Sequence, residues 1–132
     1  MKLFKKCFIA FDYMFFRIAK AYYRWDGKQG ITAIFTISLF YCSLLFIPLI
    51  TYTRAFYGKS FLIYNESFIK PFLIILPLII LIFNTLRYWG KFDQLNEKYK
   101  NENLKSKKLK GILIIVTLSL PWIVGFIGAF CL

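Results

Sequence analysis

Three stretches of this chain carry no charge at all. Ile31–Thr53 runs for 23 residues, Pro71–Leu86 for 16 and Gly111–Leu132 for 22. A helix needs about 20 apolar residues to cross about 30 Å of hydrocarbon. The first and third are long enough as they stand. The second reaches the length if Phe68 and Ile69 join it, with Lys70 snorkelling outward and Tyr88 and Trp89 at the other boundary. A buried or re-entrant segment is the alternative for that stretch. The expected fold is all-α, an integral membrane protein with an N-terminal interfacial amphipathic helix and three transmembrane helices. Its segments are a cytoplasmic helix over 1–30, spans over 31–53, 71–89 and 111–132, an outer loop over 54–70, and a basic cytoplasmic loop or helix over 90–110.

Composition points the same way. Hydrophobic residues make up 59% of only 132 residues, against roughly 45–50% in soluble domains. So small a soluble domain has too much surface for its volume to bury that share. The formal charge of +12 suits an anionic surface. Its setting beside long apolar runs points to anionic lipid headgroups and not to nucleic acid.

The segment from Lys2 to Arg24 has a different pattern. At 100° per residue, Lys2, Lys6, Arg17, Lys20 and Arg24 fall on one side, with Lys5 adding to the same basic set. Phe4, Cys7, Phe8, Phe11, Met14, Phe15, Ile18, Tyr22 and Trp25 fall on the other. A helix with a cationic face and an aromatic face lies along a membrane interface. Phe4, Phe8, Phe11, Phe15, Tyr22, Trp25 and Trp89 are therefore expected at the headgroup boundary, where aromatic rings settle. A secretory signal fits poorly, because Asp12 and Arg17 interrupt the apolar run and no small-residue cleavage site follows. Asp26–Gly30 reads as a turn into the first span.

Orientation follows from the short connections. Residues 1–30 hold seven Lys or Arg, residues 54–70 three, and residues 87–110 eight. The positive-inside rule places the first and last groups in the cytoplasm and the C terminus outside. Trp89, Phe92, Leu95 and Tyr99 recur at helical spacing, so the second span is expected to continue inward as a helix, with Lys98 paired to Glu102 one turn on. Asn101–Asn103 is expected to break it. Lys105, Lys107, Lys108 and Lys110 then abut the third span as a polybasic anchor.

Few residues suggest chemistry. The chain has no His and three well-separated cysteines, Cys7, Cys42 and Cys131. This excludes a Cys/His zinc site and any triad that uses imidazole. No charge lies inside a charge-free span, where proton relays and coupled transporters place theirs. Asp93 and Glu97 stand four apart, as a paired-carboxylate site would require; a solvated helix face among lysines explains them as well. No phosphate loop or nucleophile elbow occurs. The expectation is therefore no catalytic residue, no metal and no cofactor.

Helix packing is more legible. Thr32, Thr36 and Ser43 share one face of the first span, and Gly125 and Ala129 form a small-xxx-small pair on the third. Such faces let helices approach closely and exchange hydrogen bonds, within one protomer or between copies. Asn84 is the amide inside a span, placed to bond a neighbouring helix or interfacial water. Each span also holds a proline, at 48, 77 and 121, compatible with ordinary kinks or a shaped cavity. Asn65–Ser67 matches a glycosylation sequon, which a bacterial chain would not use.

The segment FFRIAKAYYRW, a span, and then FNTLRYWGKFDQLNEKYKNENLKSKKLKGILIIV together resemble small uncharacterised membrane proteins of Bacteroidota-type genomes. The resemblance implies a bacterial inner membrane and supplies no activity. The expected function is non-enzymatic binding of a protein partner, as an accessory subunit or an immunity-type protein. The alternatives are an oligomeric pore or membrane-disrupting effector, and, third, an enzyme acting on lipid.

Overall fold

The computed structural model describes residues 2–64 and 66–131, with side chains given for 8–58, 64 and 66–128. Among the described residues there is no strand. Helix α1 spans Lys2–Ala21 and a short α2 spans Tyr23–Asp26. A single 3-10 turn, Gly27–Gln29, leads into α3, Ile31–Tyr64. Then come α4, Glu66–Tyr88, α5, Phe92–Lys98, and α6, Leu104–Cys131.

Three helices are long and apolar enough to cross a membrane: Ile31–Gly58 of α3, Glu66–Tyr88 and Leu104–Gly128 of α6, with 28, 23 and 25 residues. The chain is a multi-pass membrane protein. The second stretch gains its length as expected, because Phe68 and Ile69 join it. Its 23 residues form one helix through Pro71 and Pro77, about 34 Å long at 1.5 Å per residue. That continuity favours a full crossing over a re-entrant loop.

α3 is the central span and packs against both α4 and α6. It runs antiparallel to α4, since Ser38 meets Asn84 and Phe46 meets Phe72. It runs parallel to α6, where Ile47 faces Gly125 and Thr51 faces Gly128. A Cβ on either glycine would come within 3.3 Å and 3.2 Å of those side chains, so the missing side chain sets the approach of the two helices.

Two boundaries differ from the sequence expectation. Among its described residues the segment 54–70 is not a loop, because α3 continues past Thr53 to Tyr64, with a break at Gly58 whose φ of 73° leaves the helical region, and α4 starts at Glu66. Glycine alone adopts that conformation without strain. At the other end α4 does not continue through Trp89. Gly90, at φ 74°, turns the chain, Lys91 N donates to Tyr88 O, and α5 begins separately at Phe92. The break at 101–103 lies where expected, and the lysines from 105 onward form the first turns of α6.

The densest core lies at the basic end and not between the spans. Met14, Phe15, Phe16 and Ala19 of α1 pack with Ala33, Ile34 and Ile37 of α3, Tyr88 of α4, and Phe92 and Leu95 of α5. The aromatic face of α1 therefore covers the ends of the other helices. Gly30 makes this closure possible. It sits at φ 61°, and a Cβ there would lie 3.0 Å from both Phe15 and Ala19. The Asp26 carboxylate accepts from the Thr32 backbone N–H, satisfying an orphan donor at the start of α3.

Candidate functional site

Among the described residues, the ion pairs that join separate segments gather at the basic end, in a cap where α1, the 3-10 turn, the last turn of α4, α5 and the start of α6 meet. Asp12 and Tyr13 are neighbours on α1, about 100° apart around the helix, and each reaches a different partner. Asp12 Oδ1 accepts from Arg87 Nη2 at 2.9 Å. The two side chains are 24% and 13% exposed, so the pair is well shielded. The Arg87 guanidinium also lies 4.3 Å from the centre of the Phe8 ring and 5.0 Å from that of Tyr88. Flanking rings add cation–π attraction to the ion pair. Beside it Phe15 stacks on Tyr88, 4.5 Å between centroids at 13°.

Tyr13 turns toward α6. Its hydroxyl donates to Glu102 Oε2 at 2.7 Å, while Lys110 Nζ donates to Glu102 Oε1 at 2.6 Å. Lys110 also lies 4.8 Å above the Tyr13 ring. Burial, followed by the hydrogen bond to Glu102 and its charge, pushes the Tyr13 hydroxyl up to about 12. Partial burial works against the Glu102 carboxylate. The hydrogen bonds from Lys110 and Tyr13, with the charges of Lys110 and Arg17, outweigh it and hold the carboxyl below its ordinary value. Glu102 thus pairs with Lys110 and Tyr13, not with Lys98 as the helical spacing suggested.

The expected interface residues divide. Phe15 is fully buried, and Phe11 is half-buried against Tyr41 at 4.8 Å. Placing Phe15 at the headgroup boundary is therefore corrected: its ring is used up in the protein core. Phe8, Tyr22, Trp25 and Trp89 remain exposed. Phe4, Lys5, Lys6 and Ala129 lie outside the described side chains. Among the cations, Lys20 lies over Phe16 at 5.3 Å, and Lys20, Arg24, Lys105 and Lys108 are exposed. Lys107 is half-buried, and Arg17 is half-buried with its guanidinium against Gly111.

Among the described residues the hydroxyl stripe does not bridge helices. Thr36 Oγ1 donates to Thr32 O, and Ser43 Oγ to Phe40 O, both within α3. A helical hydroxyl can reach its own preceding carbonyl, and here it does. The link between spans comes from Ser38, which the sequence reading passed over. Its Oγ donates to Ile34 O and accepts from Asn84 Nδ2 at 3.0 Å. Gly125 packs within the protomer, and Gly128 is its described companion on that face.

Asp93 forms an exposed ion pair with Lys28 at 3.1 Å, which raises the Lys28 ammonium through that hydrogen bond. Among the described residues no three of His, Cys, Asp and Glu come together. The Asp12–Arg87 pair was missed, though it left a signal: an acid on the aromatic face of α1, between Phe8 and Phe15, needs a cation to be buried there. No family model, curated protein or solved structure matches this chain.

Proposed function

We propose that this is a bacterial inner-membrane protein, basic end in the cytoplasm, that binds a protein partner and performs no catalysis. The observation that carries this reading is the way the cap is held. α1 is not a free interfacial helix, because Met14, Phe15, Phe16 and Ala19 in its middle are buried in the core and the Asp12–Arg87 and Tyr13–Glu102–Lys110 contacts pin both sides. A pinned cap presents exposed Lys20, Arg24, Lys28, Lys98, Lys100 and Lys105 in a fixed arrangement. Fixed charges steer and orient an acidic partner without the ordering cost of a loose segment.

The test is site-specific photo-crosslinking in cells. A photoreactive residue at Lys98 or Lys105 should trap one protein at high yield, and Lys20→Glu with Lys98→Glu should abolish the adduct. A reactive residue at lipid-facing Phe83 should not give that adduct. Only lipid adducts from every position would overturn the reading. Rapid loss of membrane potential on induced expression, read with a potential-sensitive dye, would instead support an oligomeric pore or membrane-disrupting effector.

A further inference from the structure

We propose that the cleft between α1 and α6 binds one acyl chain of an anionic phospholipid, with the phosphate held by Arg17 and Lys110. The cleft has a volume of about 380 Å³, within the range of about 300–1,000 Å³ usual for ligand sites. Ile9, Ala10 and Met14 form one wall, and Leu113, Ile114 and Thr117 form the other. Leu113 is 66% exposed, so the cleft opens sideways onto the surface that α6 turns to hydrocarbon. One end is polar, with Lys110, Tyr13 and Tyr99.

The charges at that end favour an anion. Arg17 lies against Gly111, where a Cβ would come 3.0 Å from its guanidinium. Among the described residues it has no ion-pair partner. Arg17 and Lys110 both act on the single carboxylate of Glu102, which leaves one positive charge in excess. The Tyr99 hydroxyl is buried without a hydrogen-bond partner and its residue borders the cleft, so a side-chain rotation on lipid entry would give it a phosphate or ester oxygen to donate to. An apolar groove beginning one turn past a cationic pair matches an anionic lipid whose head sits at the boundary and whose chain lies along α6. A free phosphate would satisfy the cations and leave the groove unfilled. The proposal does not rest on the partner-binding reading.

Native mass spectrometry of the purified full chain tests this with phosphatidylglycerol and phosphatidylcholine of equal chain length. The wild type should retain phosphatidylglycerol about 25-fold better, with about fivefold of that lost for each cation removed in Arg17→Gln and Lys110→Gln. Ala10→Phe, which fills the cleft, should lower retention of both lipids at unchanged helix content. Thr117→Leu serves the same purpose from the opposite wall if Ala10→Phe does not fold. Equal retention of the two lipids by wild type would overturn the proposal. So would undiminished retention by the folded cleft-filling variant, or glycerol phosphate binding as tightly as the lipid.

Discussion

Asp12 and Arg87, 75 positions apart in sequence, meet at 2.9 Å between the middle of α1 and the last turn of α4. Arg87 is the first charge after the long apolar run of α4, and Asp12 is the acid on the aromatic face of α1. Their pairing explains how a chain with a cationic, aromatic N-terminal helix holds that helix against itself.

Removing one partner leaves a shielded charge without its counter-ion. Asp12→Ala should lower stability by about 2 kcal/mol, the usual scale for losing a hydrogen bond to a charged group. Asp12→Ala combined with Arg87→Met should recover part of the loss, because the pair also carries a desolvation cost. Thermal unfolding in detergent across this double-mutant cycle gives the coupling; additive losses would refute it.

Closure of α1 depends on Gly30. Gly30→Ala introduces a Cβ at φ 61° and brings it 3.0 Å from Phe15 and Ala19, so the backbone is strained and the core must shift. Phe15→Ala empties a fully buried site and should cost about 3–5 kcal/mol. Limited proteolysis should show faster cleavage within α1 for both variants, with the spans still protected.

The Glu102 cluster makes a pH-dependent contribution. The folded carboxyl lies below the ordinary value of 4.5, so its stabilisation is fully present above 4.5 and is lost as pH falls through the lowered folded value. Glu102→Gln should be less stable than wild type at pH 7, and the gap should narrow on acidification below 4.5. At the alkaline end, Tyr13 is raised from 10.0 to about 12. Its contribution is complete below 10 and declines as pH rises toward 12, a decline that Tyr13→Phe should lack. Melting temperature against pH reads both limbs.

Asn84 should tolerate replacement better than its burial suggests. It is 1% exposed and bonds Ser38, yet its Oδ1 has no partner among the described residues. Interhelical hydrogen bonds in membranes average about 0.6 kcal/mol, and an unsatisfied oxygen offsets that gain. Asn84→Leu should stay within about 1 kcal/mol of wild type in the same unfolding assay. A loss several times larger would assign Asn84 a structural role that the Ser38 bond alone does not explain.

The amino-acid sequence alone carries the three spans, the helical class and the amphipathic α1. Those properties are set by uninterrupted apolar length and by 3.6-residue periodicity, which are local. It also marked the break at 101–103 and the close-packing glycine at 125. What covers the aromatic face of α1 was decided only in three dimensions. The acyl boundary beneath lipid headgroups and the ends of α3, α4 and α5 offer that face comparable apolar cover, and periodicity cannot tell them apart. Gly30 and Gly90 choose the protein by turning the chain at positive φ, which brings Phe15 to Tyr88 and Phe92 back toward α1. The ion pairs are non-local for the same reason. Glu102 could be matched to Lys98 by helical spacing, but the end of α5 removes that register, and the fold supplies Lys110 and Tyr13 in its place.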